Sequence, residues 1–496
     1  GGLCLVYNGE GAKKQNPEVI EFLPRQVEST LENAGWQGAL PGNVRGMYAL
    51  QARYGRLNWA QLIAPAENLA RFGHKVSRAL SVDLNVADSV LFEDIHFKNI
   101  FTNTNGDPVS EGDTVYQYEL GAVLSNLRLR GAGDFYNGLI SKHIETGASD
   151  IGIVVPRSEL RTYKPVWRTA AIFPFGEYTL YTAPEPTAGG ITTGAMLFLL
   201  RNSDRDIVVP ETEIPHLFVE IAKRAFADRS YWMDGENEGA IKTERLLQAM
   251  SNYTNISATD IDKLSSTPKR RLENPASTTF ITMDKNGLAV SCSITMNNLF
   301  GIGKMIPGTG IALAAAPSKF SDATKSFAPI VLEKNNLKKI VFIAGASNGI
   351  TAASALATVV RDIFIRGASL ADAIAEPRIH HSGAPNIVFM EQNISAQIQK
   401  DLGSRQHKLR KVIEIGRVNA IFCADGMPGN YESCNFSSDQ RAYGLGAIIA
   451  GIITIQLLKY INKVSFTLFL ILIAGYSFLI MVKFPHIIVF FLTTLL

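Results

Sequence analysis

A mixed α and β fold is predicted by two stretches of this 496-residue chain. Ser277 to Asn297 reads as a β-hairpin: two arms rich in β-branched residues flank Asn286-Gly287. Lys339 to Ala344 reads as a strand that leads into an alanine-rich helical run from Ile350 to Arg366. Strands and helices alternate in this way along much of the chain, as in a mixed α/β domain.

The hairpin can be justified residue by residue. Asn286-Gly287 supplies the positive φ angles of a tight turn. With these two residues as the loop, Lys285 faces Leu288, Thr278 falls opposite Thr295, and Asn297 lies just beyond. A slip of register moves this by a residue or two. The second arm alternates, with Leu288, Val290, Cys292 and Ile294 on one face and Ala289, Ser291, Ser293 and Thr295 on the other. The apolar face has to be covered, and the hydroxyls gathered at the open end form a candidate nucleophile site.

The length leaves room for two or three domains, but no Pro-, Ser- or charge-rich linker divides the chain before its C-terminal region, so one large composite domain is expected. Basic and acidic side chains number 48 and 45, and the net charge of +3 leaves no electrostatic footprint for nucleic acid. The cysteines, Cys4, Cys292, Cys423 and Cys434, lack metal-ligand spacing. Cys292, on the apolar arm face, reads as a buried thiol. For Cys423 and Cys434 a disulfide is the minor reading, open only in an oxidising compartment. Met233 to Pro275 is polar and turn-rich and reads as a flexible exposed connection or an ordinary surface loop, its Lys269-Arg270-Arg271 triplet as solvated charge.

The C-terminal region is different material. Val464 to Val482 carries no charged residue over a span long enough to cross a ~30 Å hydrocarbon core as a helix. A second apolar run, Ala442 to Leu458, ends at Lys459, and a third, Phe484 to Leu496, contains Pro485 and His486. One crossing or a helical hairpin is expected, with Lys459 and Lys463 cytoplasmic under the positive-inside rule. An extension that is apolar by accident is the competing reading, and either origin makes the product membrane-seeking.

The hairpin resembles that of the gamma-glutamyltransferase family, whose nucleophile is a hydroxyl residue at the start of such a hairpin, exposed by cutting the chain immediately before it. Other segments resemble the family in family order: Pro41-Gly42-Asn43-Val44-Arg45-Gly46, Ala64-Pro65-Ala66-Glu67-Asn68-Leu69-Ala70, Gly133-Asp134-Phe135-Tyr136-Asn137-Gly138, Ala227-Asp228-Arg229-Ser230, Asn297-Asn298-Leu299-Phe300-Gly301 and Pro377-Arg378-Ile379-His380-His381. Together they cover the chain from Gly1 to about Ala447. The opening Gly1-Gly2-Leu3-Cys4-Leu5-Val6, without a methionine, resembles the middle of the family's glycine-rich early strand, so an N-terminally incomplete chain is expected.

The resemblance implies an α+β fold of four αββα layers, that of the N-terminal-nucleophile hydrolases, followed here by a C-terminal transmembrane helix or helical hairpin. It divides the chain into a large-subunit-like region, 1–276, a small-subunit-like catalytic region, 277–447, and an apolar tail, 448–496. The implied activity is hydrolysis of γ-glutamyl amides such as glutathione, and transfer of the γ-glutamyl group to an amino acid or peptide acceptor. No cofactor, metal or nucleic acid is implied. Large and small fragments stay associated after processing, the tail binds a membrane, and the catalytic region is periplasmic or extracellular if exported as in the family.

Roles follow by position. Counting back from Asp284 places the nucleophile at Ser277, where the family residue is usually threonine; Thr278, next door, is the alternative. The hydroxyl first attacks its own preceding carbonyl, and the freed α-amine then serves as general base. Thr295 would hydrogen-bond the nucleophile and Asn297 would hold the glutamyl end. Gly345-Ala346-Ser347-Asn348-Gly349 stands where the family builds an oxyanion hole from two glycine amides, with Asn348 in place of the first and Gly349 matching the second. As a bare pattern this turn could cradle phosphate, but it lacks the lysine and spacing of a P-loop.

Other positions depart from the family. Ala316 and Lys319 stand where a glutamine and an aspartate hold the glutamyl ammonium, and Lys325 replaces one of two paired serines while Ser326 matches the other. Two like charges ~4 Å apart cost roughly 4 kcal/mol at an effective dielectric near 20, so an inward Lys319 would lower affinity about a thousandfold. The carboxylate-binding arginine falls by strict count on Leu23, and Arg25 substitutes only through a local shift. His380 and His381 look structural, with no further ligands for a metal site. Three readings therefore stand: a γ-glutamyltransferase-like enzyme, an acylase of altered acyl specificity, and a non-catalytic membrane-associated remnant.

Overall fold

The computed structural model describes residues 1–9, 16–26, 38–203, 210–233, 242–261, 264, 276–317 and 323–441. Its two large sheets are built from β1 (Gly2–Asn8), β2 (Glu18–Phe22), β3 (Val166–Thr169), β4 (Ala171–Phe175), β5 (Tyr178–Thr182), β6 (Ser277–Met283), β7 (Leu288–Thr295), β8 (Ile330–Lys334), β9 (Lys339–Ser347), β10 (Arg417–Met427) and β11 (Cys434–Ser438). The first sheet runs β6-β7-β1-β2-β3 and the second β11-β10-β9-β8-β5-β4. Every neighbouring pair is antiparallel.

Leu3, Leu5 and Tyr7 of β1 meet Val331 of β8, Ile343 of β9 and Cys423 of β10 in a core between the sheets. On the far side of the second sheet, helices Ala188–Ser203, Ile214–Asp228 and Ala352–Phe364 share the largest apolar cluster. On the far side of the first, Met47, Ala49 and Leu50 of the Asn43–Tyr54 helix cover Cys4, Ile20, Phe22 and Cys292. This stacking is the four-layer αββα arrangement. The predicted strand and helix pair is present as β9 and Ala352–Phe364, whose small alanine side chains let the buried helix lie close on the sheet.

The hairpin's loop differs from the expected one by a single residue. Asp284 pairs with Leu288 through its backbone, and its carboxylate accepts the amides of Asn286 at 2.9 Å and Leu288 at 3.0 Å. Lys285-Asn286-Gly287 thus forms the loop, with Gly287 at φ 80°. The longer loop shifts the register, so that Ser277, not Thr278, faces Thr295.

The arm's two faces are also used differently from the simple expectation. Ala289, Ser291, Ser293 and Thr295 form the more deeply buried face, turned toward the second sheet, while Leu288, Val290 and Ile294 are only half-buried. Ser291 crosses between sheets and donates to the Ala344 carbonyl at 3.0 Å. The close approach needs Gly345: a Cβ there would stand 3.0 Å from Ser291 Oγ and 3.2 Å from Thr279 Cβ.

Both cysteine readings are corrected. Cys4 is bonded to Cys292, and Cys423 to Cys434, each pair directly opposite in register on neighbouring strands. The first pair is separated by 288 residues, and only the seating of β1 beside β7 brings it together. The 233–275 stretch is corrected in part. It contains the helix Thr243–Met250, whose Leu246 is buried in the large cluster and whose Arg245 bonds Asp228. The basic triplet lies outside the described residues, as do the apolar runs 442–458, 464–482 and 484–496. No helix of the described residues is long and apolar enough to cross a membrane.

Candidate active site

The open end of the hairpin is organised around one hydroxyl. Thr295, 3% exposed, donates its Oγ1 hydrogen to the carbonyl of Ala276 at 2.5 Å, and the same oxygen accepts the Asn297 amide at 2.9 Å. The accepted bond fixes which way the hydroxyl points, and the donated one polarises the Ala276–Ser277 peptide. Ser277 is half-buried opposite Thr295 and shares the inward face with buried Thr279. Thr278 is exposed on the other face, opposite Ile294.

Asn297 turns the chain just past the strand, at φ 64°, a conformation asparagine tolerates better than most residues. It is 1% exposed, and its Nδ2 donates to the Ala315 carbonyl at 2.7 Å. Its Oδ1 is buried with no protein donor. A buried acceptor left in this state favours a donor arriving with a ligand.

At the end of β9, Asn348 and Gly349 take φ 84° and 60°, a sharp turn that opens the Gly349–Thr351 helical turn. The Asn348 side chain is directed to Glu414, its Nδ2 donating to Oε1 at 3.1 Å. The Ala323–Ser326 turn touches both β7 and the Gly349–Thr351 turn, setting buried Ser326 between the hairpin and the β9 terminus. Ala316 and Lys325 are half-buried, while Lys319 lies outside the described residues.

The structure therefore gathers Ser277, Thr295, Asn297, Ser326, Asn348 and Gly349 around one end of the two sheets. It does not gather Arg25. That side chain is exposed, with its guanidinium over the Tyr163 ring at 5.0 Å and a 3.4 Å bond to the Lys164 carbonyl. The short Arg25–Gln26 strand pairs with Ala39–Leu40, which fixes this direction. Sequence reasoning missed Asn419 of β10, whose Nδ2 donates to the Thr279 carbonyl at 2.9 Å. Its signal was a lone polar residue between two buried apolar ones, Val418 and Ala420.

Among the described residues one trio has metal-ligand character, His216, Glu220 and His407, and its donors are already committed. His216 Nε2 donates to the Thr254 carbonyl at 2.9 Å, which leaves its Nδ1 to accept from His407 Nε2 at 2.8 Å. The Glu220 oxygens receive Lys223 at 2.8 Å and Arg224 at 2.6 Å. His380 and His381 are wholly buried away from the hairpin. His380 Nδ1 meets Ser354 Oγ at 2.8 Å. His381 accepts the Gly383 amide on Nδ1 and donates through Nε2 to Asn386.

Burial pushes His380 and His381 down to about 3 from an ordinary 6.5, helped by the nearby cations Arg229 and Lys223 respectively. Burial and Lys223 take His407 to about 3 as well. Between roughly pH 6.5 and 3 the unfolded chain binds protons that these imidazoles refuse in the fold, so stability falls as pH drops. We expect the urea midpoint to fall from pH 7 to pH 5, before most carboxylates titrate. A flat midpoint across that interval would show that the three rings are not held neutral.

A gamma-glutamyltranspeptidase family model matches residues 12–448, most of the chain. The chain belongs to the gamma-glutamyltranspeptidase family. Members of this family include glutathione hydrolases, which are enzymes. The chain is similar to glutathione hydrolase 3 of Arabidopsis thaliana, at 25% identity over 458 residues, covering 83% of this chain and 71% of that protein. It is similar to the glutathione hydrolase proenzyme of Escherichia coli K12, at 26% identity over 412 residues, covering 77% of this chain and 70% of that protein. The fold is like that of cephalosporin acylase from Bacillus halodurans, with a TM-score of 0.72 at 19% identity over 89% of this chain and 85% of the acylase. The fold is thus that of the N-terminal-nucleophile transpeptidases and acylases.

Proposed function

We propose that this transpeptidase-family chain cuts itself before Ser277 and then hydrolyses or transfers an acyl group from a γ-glutamyl-type amide. The observation that carries this reading is the 2.5 Å bond from Thr295 Oγ1 to the Ala276 carbonyl, placed on the one peptide whose cleavage would expose the inward hydroxyl. Ser277 Oγ attacks the Ala276 carbonyl carbon, the C–N bond breaks, and an ester forms. Water hydrolyses the ester, leaving the Ala276 carboxylate and a free Ser277 amine. An α-amine has a pKa of about 8, near enough to neutrality to act as base for its own hydroxyl.

In turnover, Ser277 Oγ attacks the substrate amide while its amine takes the proton and passes it to the departing amine. The acyl group then goes to water or to an amino acid or peptide acceptor. The Asn348 and Gly349 amides would meet the developing oxyanion, a role worth about 10²–10³ in rate per donor. Asn297 Oδ1 would accept a hydrogen bond from the substrate's ammonium. Regions 1–276 and 277–447 would be the two subunits. Both disulfides favour an oxidising compartment for them.

A second reading, an acylase of a different acyl group, is favoured by Ala316, which offers no side-chain hydrogen bond where the family uses a glutamine. The deciding experiment measures the masses of purified protein after reduction and denaturation, and the release of aniline from γ-glutamyl and glutaryl anilides. Two fragments divided at 276/277 with γ-glutamyl turnover support the first reading, and glutaryl turnover alone supports the second. A single uncut chain would overturn both and leave a non-catalytic family remnant.

A further inference from the structure

The candidate nucleophile sits on a strand with a weakness built in. β6 is the edge of the first sheet, and its one strand partner there is β7. A cut before Ser277 would remove its covalent anchor on the N-terminal side, and an edge strand with a new free end frays. One side chain answers this. Asn419 reaches across from β10 in the second sheet and donates Nδ2 to the Thr279 carbonyl at 2.9 Å and to Thr279 Oγ1 at 3.3 Å.

Asn419 is itself held from behind, because Ser438 of β11 donates Oγ to its Oδ1 at 2.6 Å. Its register partner on β9 is Gly345, whose missing Cβ leaves the gap through which β6 approaches. It thus ties β6 to the second sheet through a side-chain hydrogen bond. It acts two residues from Ser277.

We propose that Asn419 is a positioning residue that keeps Ser277 seated once the chain has been cut, an inference that rests on the self-cutting reading. Its role is conditional: while the chain is intact, Ala276 and its bond to Thr295 hold the strand end, and Asn419 is redundant. The test compares amide hydrogen exchange over 277–283 in the wild type, Asn419→Ala, Ser277→Ala and the double variant. In cut protein, Asn419→Ala should speed exchange about tenfold, the scale of one lost hydrogen bond. In the uncut Ser277→Ala background it should change exchange by less than about twofold. Turnover of the anilide should show a matching fall in kcat with KM little changed. Ser438→Ala, which frees only the rear of Asn419, should act in the same direction with smaller size, and it supplies the same comparison where Asn419→Ala does not fold.

Equal effects in cut and uncut backgrounds would overturn the proposal and reduce Asn419 to ordinary packing. So would an Asn419→Ala chain that stays uncut while the wild type is cut, because Asn419 would then act before the break. A wild type that never cuts would instead overturn the function on which this rests.

A separate observation carries a second inference. Cys4 and Cys292 are both fully buried and bonded to each other, and the 276/277 bond lies between them in sequence. We infer that the processed halves are one covalent unit, joined through β1 and β7 at the centre of the first sheet. Cys423–Cys434 lies wholly within the second half and links nothing across the cut. On denaturing gels of protein made in an oxidising compartment, the wild type should run as one full-length species without reductant and as two with it. Cys4→Ser should give two species in both lanes. Two wild-type species without reductant would overturn the covalent link; one species in both lanes would overturn the cut itself.

Discussion

Ser277→Ala is expected to remain a single uncut chain with no measurable acyl transfer, whereas Thr278→Ala is expected to be cut and active. The structure sets the two hydroxyls on opposite faces of one strand: Ser277 inward against Thr295, Thr278 exposed opposite Ile294. Only the inward hydroxyl adjoins the carbonyl that Thr295 polarises. Loss of a catalytic serine costs about a millionfold in kcat, so the effect is all or none on a gel and in an assay. Thr295→Val keeps the shape and removes the donor, and should slow cutting by about 10²–10³. Time courses of intact mass would check all three. A Ser277→Ala chain still divided at 276/277, or a Thr278→Ala chain that is not, would move the nucleophile away from Ser277.

Glu220→Leu is expected to destabilise the fold by about 3–5 kcal/mol, the cost of leaving buried charge without its partner. Glu220, Lys223 and Arg224 lie on consecutive turns of the Ile214–Asp228 helix and are essentially unexposed. Burial alone would raise the Glu220 carboxyl. Lys223, Thr259 and Arg224 outweigh that and bring it down to about 2. Removing the carboxylate strands two cations in the layer that backs the second sheet. A triple replacement, Glu220→Leu with Lys223→Met and Arg224→Met, should recover part of the loss, because no bare charge remains. Urea unfolding of the three proteins checks this, and a Glu220→Leu midpoint equal to wild type would show that water reaches the cluster.

The legibility of this chain differs from element to element. The hairpin, the strand at 339–344 and the alanine-rich helix behind it were visible as local pattern, because β-branched alternation and alanine content act over a few residues; the strand runs on to Ser347 in the structure. The loop was misjudged by one residue, because the Asp284 carboxylate caps the turn and lengthens it. That single residue decided which hydroxyl faces Thr295. Arg25 was expected at the site, yet short-strand pairing with Ala39–Leu40 turns it onto Tyr163. Asn348 stands in place of the first of the family's two oxyanion glycines, and its side-chain Nδ2 bonds Glu414.

By itself the sequence determined the hairpin, the family and the order of its motifs, since these are properties of neighbouring residues read along the chain. Tertiary structure alone decided the rest. It seated β1 beside β7 and so joined Cys4 to Cys292 across 288 residues, turned the hydroxyl face of β7 toward the second sheet, and brought Asn419 over Thr279. It also collected the buried charges of Glu220, Lys223 and Arg224 with Thr259 and the His216–His407 pair. These contacts join residues far apart in sequence, and their geometry comes from how two sheets stack and twist, which no local pattern records.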